Sequence, residues 1–191
     1  MTQRAEGKTL AILATDGFEE VELTSPKEAI ENAGGKTVIV SLEHGEIEAN
    51  QHRKPGKTVA VDKTLDEVKA DDFDAILIPG GLFNPDALRT EQKVLDFTSA
   101  FFEQKKPVFS ICHGPQVLIS ANLVNGRKMT GFPSIQQDLK NAGAIVSDEA
   151  VVVDEGLVTS RNPNDLDAFN DKIVEELCEG RHDDQRKSVA A

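Results

Sequence analysis

The sequence has 191 residues, of which 39% are hydrophobic and 28% charged, as expected of one soluble globular domain. Its formal net charge of −12 repels phosphate backbones and anionic membrane surfaces, so nucleic acid is a poor direct partner. Trp and Tyr are both absent, which argues against a platform for stacking sugars or nucleobases.

No apolar run approaches the roughly 20 residues that span a bilayer, and residues 1–8 are polar with no signal-peptide core behind them. We therefore expect a cytoplasmic protein that does not enter a membrane. Two cysteines cannot build a disulfide framework, so each thiol needs its own explanation. Neither a metal nor another cofactor is expected, because the histidines are too scattered for a zinc site: His44, His52, His113 and His182.

The first part of the chain predicts a βαβ unit. Residues 9–14 (TLAILA) form a short apolar run, and a helical stripe follows it and ends at Gly34-Gly35. The β-branched stretch Lys36–Ser41 completes the unit as a second strand. The polar stretch 42–57 predicts a hairpin or an irregular excursion, after which residues 58–61 return as a short strand.

The second part of the chain continues the alternation of strands and helices. Strands are predicted at 74–78 and 107–111, each followed by a turn and a helix. A hairpin, a last helix and a polar tail close the chain. The remaining predicted elements are a helix ending near 104, helical segments at 117–121 and 134–141, strands at 144–146, 151–153 and 157–160, a helix at 166–177, and a disordered tail at 181–191.

This alternation predicts one doubly wound α/β domain over residues 1–180, in which a mainly parallel sheet is covered by helices on both faces. One or two antiparallel strands are expected at a sheet edge. Such sheets bind ligands beyond the carboxyl ends of their strands. The loops at 16–17, 80–81 and 112–113 are therefore expected to converge on one crevice.

Cys112 stands between a buried strand and the first turn of a helix, which is the position of a nucleophile elbow. Gly114 removes a side chain where strand and helix pass closely, and Pro115 suits the first helical position. The helix N-terminus is expected to stabilise a thiolate at Cys112. Gly80-Gly81 could supply backbone N–H groups as an oxyanion hole. The alternatives are a buried cysteine that serves as a small hydrophobe and glycines that only make a tight turn.

Several segments together resemble the PfpI family of intracellular cysteine peptidases and deglycase-like stress proteins, in the superfamily of the Parkinson-associated deglycase-like protein. The resemblance runs in unbroken order over residues 8–178. It implies a flavodoxin-like sandwich. The segments are DGFEEVEL (16–23), ILIPGG (76–81), NPDALR (84–89), SICHGPQVLISANLVNGRKMTGFPSI (110–135) and VVVDEGLVTSRNPND (151–165).

The resemblance also implies roles for particular residues. Cys112 is the nucleophile, His113 follows it, and Glu22 is the acid beside the sulfur. An acid from a neighbouring subunit is implied to orient His113, and the matching position here is Asp86. The spacer before Asp86 is longer, and the acid shorter, than in the family pattern. This contact implies a homodimer or a larger assembly.

Physical chemistry favours a protonated Glu22, because a carboxyl group and a thiolate that ionise side by side repel each other. Glu19 and Glu20 are alternative acids, and all three glutamates could simply favour a helix N-terminus. His113 could be a loop histidine with a backbone partner. No downstream His-x-Glu pair exists, so glutaminase activity is disfavoured. Cys178 lies on a helical stripe and is expected to fill the core.

Three functions remain open at this point. The first is a cysteine hydrolase that repairs or consumes glyoxal or methylglyoxal adducts, with a small carbonyl compound or a glycated protein as substrate. The second is an intracellular cysteine peptidase, which forms an acyl-enzyme with the same thiolate. The third, of another class, is a redox sensor or holdase chaperone in which Cys112 is oxidised without turnover.

Overall fold

A computed structural model describes residues 5–51 and 54–185, which form twelve β-strands and six α-helices. The strands are β1 (Thr9–Leu13), β2 (Phe18–Glu19), β3 (Lys36–Ser41), β4 (Glu46–Gln51), β5 (Lys54–Ala60), β6 (Lys63–Thr64), β7 (Ala75–Ile78), β8 (Val108–Ile111), β9 (Lys128–Met129), β10 (Ile145–Val146), β11 (Val151–Asp154) and β12 (Leu157–Ser160). The helices are α1 (Glu20–Asn32), α2 (Phe83–Leu88), α3 (Gln92–Glu103), α4 (Pro115–Ser120), α5 (Gln136–Asn141) and α6 (Leu166–Glu179).

Seven strands form the central sheet in the order β11-β12-β8-β7-β1-β3-β6. Neighbouring strands are parallel except for β11, which pairs antiparallel with β12 at the edge. The predicted α/β fold with a mainly parallel sheet and an antiparallel edge strand is confirmed. The carboxyl ends of β1, β7 and β8 lie side by side, so the loops that follow them share one edge of the sheet.

Alternate residues of each central strand face opposite layers, because side chains alternate across a strand. On one face, Leu10 and Ile12 pack in a cluster with apolar residues of α1 and α6. On the other face, Ala11 and Leu13 pack in a cluster with residues of α3, α4 and α5. The sheet is thus buried on both sides, which accounts for the continuous apolar runs of its strands.

The polar excursion after β3 forms a hairpin, one of the two alternatives expected there, and most of the strand expected at 58–61 is the second half of β5. Strands β4 and β5 pair antiparallel, and β4 also pairs with β2 to make a separate three-stranded sheet. Ile47 and Ala49 are buried beneath this sheet, whereas most of β5 is exposed. The pairing of Glu19 with Asn50 brings the end of β4 to the mouth of the crevice beyond the central sheet.

The C-terminal segment differs from its prediction. The disordered tail was expected to begin at residue 181, but residues 181–185 pack against the domain. Gln185 is buried: its amide nitrogen donates to the Lys106 carbonyl at 3.2 Å, and its oxygen accepts from Arg127 at 2.9 Å. The Arg127 side chain is fully buried and also donates to Asp154 at 2.6 Å. A buried guanidinium needs several acceptors, and Gln185 supplies one. Residues 186–191 lie outside the described residues.

Candidate active site

The crevice beyond β1, β7 and β8 contains a cavity of about 650 Å³. Glu22, Gly81, Cys112 and His113 line it, so the fold brings together most of the residues singled out in the sequence. Apolar side chains form much of the remaining wall: Leu82, Phe83, Phe132 and Pro163. A concave apolar site with a few converging polar groups is typical of a small-molecule pocket.

Cys112 occupies a strained turn directly after β8. Its φ of +62° lies in the left-handed region, which costs a residue with a Cβ on the order of 1–3 kcal/mol. Two backbone hydrogen bonds hold this turn: the Cys112 N–H donates to Ser160 at 3.0 Å, and its carbonyl accepts from Phe132 at 2.9 Å. Strain held in place at a cavity is typical of a nucleophile elbow.

Gly114 and Gly80 make this close packing possible. A Cβ on Gly114 would lie 2.5 Å from the carbonyl oxygen of Ile78 on the neighbouring strand. A Cβ on Gly80 would lie within 2.6–2.8 Å of Glu22 Oε2, Cys112 Cβ and the His113 nitrogen. The three site residues therefore converge on a point where only glycine fits.

Glu22 is completely buried in the first turn of α1. Its Oε2 accepts a hydrogen bond from the Gly80 N–H at 2.8 Å, and the carboxyl also contacts the Cys112 thiol. Burial raises the pKa of Glu22 to about 8, although its contacts with the Cys112 thiol and the Gly80 N–H lower it. The carboxyl is thus mostly protonated at neutral pH and can donate a hydrogen bond to the sulfur.

Burial is also the largest influence on the pKa of the Cys112 thiol, and it raises that pKa. A negative charge on Glu22 raises it further, whereas the backbone N–H groups of Gly81 and His113 lower it. Protonation of Glu22 removes the repulsion and adds a donor. We expected the helix N-terminus to stabilise a thiolate at Cys112, but burial of the sulfur has a larger effect on the pKa than the N–H groups that favour the thiolate.

His113 contacts the sulfur directly. Its Nδ1 lies 3.2 Å from Cys112 Sγ, and its Nε2 lies 3.1 Å from Ser134 Oγ. The ring stacks on Phe132 with centroids 4.6 Å apart. Burial lowers the pKa of His113, which keeps the imidazole neutral at pH 7. With Nε2–H donating to Ser134, Nδ1 is an acceptor for the thiol proton.

The backbone N–H groups of Gly80 and Gly81 have different partners. Because the Gly80 N–H donates to Glu22, it is not free to bind an oxyanion, which leaves Gly81 and His113 of the donors predicted from the sequence. The N–H groups of Gly81 and His113 face the sulfur instead. Buried Asn84 fixes the loop, since its amide donates to the carbonyls of Pro79 at 2.8 Å and Gly80 at 3.3 Å.

Sequence reasoning missed Ser134 and Asn84. Both lie inside segments that carry the family resemblance, as the serine of Gly-Phe-Pro-Ser and the asparagine of Asn-Pro-Asp. Each is a polar residue beside an unusual cluster of Gly and Pro. That arrangement was a usable signal, because a turn near a catalytic loop needs side chains that bind its backbone or its neighbours.

The other candidate residues are placed less centrally. Asp86 is exposed on α2 and does not line the cavity of its own chain. Glu20 pairs with Lys57, with 3.7 Å between Oε1 and Nζ, whereas Glu19 lines the cavity. Cys178 is half-buried on α6, and burial raises the pKa of its thiol.

Comparison with known proteins gives a consistent result. The profile described as DJ-1/PfpI family matches residues 8–176. "Putative cysteine protease YraA" of Bacillus subtilis is 52% identical over 163 residues, which are 85% of this chain and 94% of that protein. "General stress protein 18" of the same species is 47% identical over 165 residues, 86% and 94% of the two chains. The crystal structure of Drosophila melanogaster DJ-1beta superposes with a TM-score of 0.82 at 28% identity, over 90% of each chain.

Proposed function

The chain belongs to the DJ-1/PfpI family, and from that premise we propose that it is a cysteine-dependent hydrolase with Cys112 as nucleophile. The observation that carries this proposal is the Sγ–Nδ1 distance of 3.2 Å between Cys112 and His113 on a strained elbow. A nucleophile within hydrogen-bond reach of a base, which is itself oriented by a third group, is the common arrangement of covalent catalysis. Ser134 is that third group here.

In the first step, His113 Nδ1 accepts the proton of the thiol as the sulfur adds to a carbonyl carbon. The carbonyl π electrons move to the oxygen, and the N–H groups of Gly81 and His113, which face the sulfur, are the donors that we propose for that negative charge. Glu22 stays protonated, and its O–H group donates a hydrogen bond to the sulfur. The imidazolium then returns its proton to the oxygen or to a departing amine.

The substrate class that we propose is an aldehyde or an adduct derived from glyoxal or methylglyoxal. Addition of the thiol to methylglyoxal gives a hemithioacetal, and transfer of hydrogen from its first to its second carbon gives a thioester without net oxidation. Water then cleaves the thioester, releases lactate and restores the thiol. The name of the relative "General stress protein 18" supports a stress-related role.

A peptidase is the second candidate, and a specific observation favours it. The cavity of about 650 Å³, with apolar walls at Phe83 and Phe132, is far larger than three-carbon methylglyoxal requires. A peptide with an apolar side chain next to the scissile bond fits such a space. His113 would then protonate the leaving amine. The name of the relative "Putative cysteine protease YraA" also supports this candidate.

A third candidate is a redox sensor or holdase chaperone, in which Cys112 is oxidised and no substrate turns over. The same experiment separates all three. Purified protein and Cys112→Ser are assayed in parallel against methylglyoxal adducts, unfolded casein and an aggregating client protein. The hydrolase proposal requires turnover of one of the first two substrates and its loss in Cys112→Ser. Client protection without any turnover would instead favour the holdase.

We further propose a cytoplasmic homodimer or larger assembly in which Asp86 of one subunit approaches His113 of the next. Asp86 is exposed on α2, and Leu82 and Phe83 beside it are 53% and 67% exposed, although they border the cavity. Exposed apolar residues of this size are common at subunit interfaces. Light scattering at micromolar concentration tests the assembly, and a single species near 20.7 kDa would contradict it.

A further inference from the structure

Three side chains that bind metals in other proteins meet where the C-terminal segment folds back onto α6. Glu176 and Glu179 are three residues apart, so their side chains leave the helix on the same face. The chain turns back at Gly180, which has a φ of +83°, and this turn places His182 over the end of the helix. One ligand atom from each of the three residues lies within 4.8 Å of the others.

Glu176 presents a buried carboxylate oxygen to this cluster. Its side chain is only 5% exposed, and its Oε2 lies 2.9 Å from Nε2 of His182. Both atoms are buried, and apart from this ion pair neither has a hydrogen-bond partner in the described part of the chain. The Nζ of Lys172 lies 3.9 Å from the other carboxylate oxygen, Oε1. A nitrogen and an oxygen bound to one tetrahedral zinc ion lie about 3.3 Å apart, so this pair needs little movement to share one.

The imidazole of His182 is already held in place. Its backbone N–H donates to the Lys105 carbonyl at 2.9 Å, and its carbonyl accepts from the Gln185 N–H at 2.9 Å. Gly156 leaves room for the ring, since a Cβ there would lie 2.8 Å from His182 Cδ2. A ligand whose position is fixed before binding loses little entropy when the ion arrives.

We propose that Glu176, Glu179 and His182 form a zinc-binding site that fastens residues 181–185 to α6. One imidazole and two carboxylates suit Zn²⁺, and a water molecule can complete the tetrahedron. The histidine spacing in the sequence predicted no metal site, because it could not show that two carboxylates of a helix would face a single histidine. The proposal is independent of the function proposed for Cys112.

Zinc at this site would have a structural effect. Residues 181–185 include Gln185, whose oxygen accepts from the fully buried Arg127. An ion that binds only the folded arrangement raises the stability of the folded state by mass action. We therefore expect zinc to raise the melting temperature of the protein and to protect the segment after Gly180 from proteolysis.

Zinc binding is measured by isothermal titration calorimetry with zinc chloride, in a Cys112→Ser background so that this thiol does not compete. We expect one ion per chain. Glu179→Gln and His182→Ala should each weaken binding at least about tenfold. Glu175→Gln, a matched change on the same helix, should retain it. Glu179 is exposed, so its replacement leaves the buried Glu176–His182 pair and the fold intact.

Cobalt identifies the ligands independently, because thiolate ligands give an intense charge-transfer absorption and imidazole and carboxylate ligands do not. The proposal expects a cobalt spectrum without that absorption, and a zinc-dependent rise in melting temperature that Glu179→Gln abolishes. It is overturned if micromolar zinc does not bind, or if Glu179→Gln and His182→Ala bind zinc as tightly as the parent. A thiolate band, which would implicate Cys178, would also overturn it.

Discussion

Replacement of Glu22 by Gln tests whether this carboxyl keeps its proton in the folded protein. Burial raises its pKa from the ordinary value of 4.5 to about 8. Between these two pH values the unfolded chain has lost a proton that the folded chain retains, so the free energy of unfolding falls as the pH rises. The contribution of the neutral carboxyl to stability is complete below pH 4.5 and is lost above pH 8.

The size of the effect follows from the same two values. Between the two pKa values, each pH unit lowers the free energy of unfolding by about 1.4 kcal/mol. The wild type therefore loses about 3 kcal/mol of stability through this group between pH 4.5 and pH 7. Gln has nearly the same size, can donate a hydrogen bond and does not ionise. The stability of Glu22→Gln relative to wild type should therefore rise by about 3 kcal/mol over that range.

Urea unfolding followed by circular dichroism at pH 4.5, 6 and 7 measures this change. The difference in the free energy of unfolding between the two proteins is free of the contributions of the other titrating groups, because both proteins contain them. Ultraviolet titration of the thiolate gives a second readout: Glu22→Leu, which cannot donate, should raise the pKa of Cys112 by about one unit relative to Glu22→Gln. Stability curves of wild type and Glu22→Gln that run parallel with pH would refute the reasoning.

Three further predictions concern the same site. Gly80→Ala should destabilise the protein by about 1–3 kcal/mol, because the added Cβ would press on backbone and Cβ atoms. Gly131→Ala is the control and should cost less, since its Cβ would meet no atom closer than 3.1 Å. Chemical denaturation compares the stability of the two variants. His113→Ala should lower kcat/KM about 100-fold or more, and Ser134→Ala about tenfold, as steady-state kinetics will show; equal activity in all three proteins would remove His113 from the mechanism. Brief iodoacetamide treatment at neutral pH should modify Cys112 before Cys178, because His113 Nδ1 lies 3.2 Å from the Cys112 sulfur and can accept the thiol proton as the new bond forms. Peptide mass spectrometry establishes the order, and the reverse order would count against the assignment.

Much of the fold could be predicted from the sequence, because the buried strands are continuous apolar runs. Lys36–Ser41 was predicted to its exact ends, and the strands at β7 and β8 to within one residue at the start. The stretch after β3 left a hairpin and an irregular excursion as alternatives, because β5 is largely exposed and its pattern is polar. Short helix α2 was not predicted, since its six residues hold only three buried side chains.

The site was predictable where a local pattern fixes the backbone. A cysteine followed by His-Gly-Pro after a buried strand is sufficient to indicate an elbow, and Cys112 has the left-handed φ that such a turn needs. The partners of that turn come from distant segments. Ser134 reaches His113 from 21 residues away, and no periodicity in the sequence indicates that contact.

Electrostatic properties were the hardest to predict. The local pattern placed a helix N-terminus beside Cys112 and so indicated a stabilised thiolate, but the depth of the sulfur depends on the loops that cover it. The order of the C-terminal segment also depends on distant residues that a local pattern does not include. Residues 181–185 look polar and disordered in sequence, yet they are ordered because Arg127 is buried beneath them and needs acceptors.

Covalent trapping on Cys112 tests the central claim most directly. The protein is mixed with a methylglyoxal-modified peptide and, separately, with unmodified casein, quenched in acid within the first turnover, digested, and analysed by mass spectrometry. Our account predicts a substrate-derived mass on the peptide that contains Cys112, and loss of both adduct and turnover in Cys112→Ser. Turnover that persists in Cys112→Ser, or an adduct that maps to Cys178 instead, would contradict it.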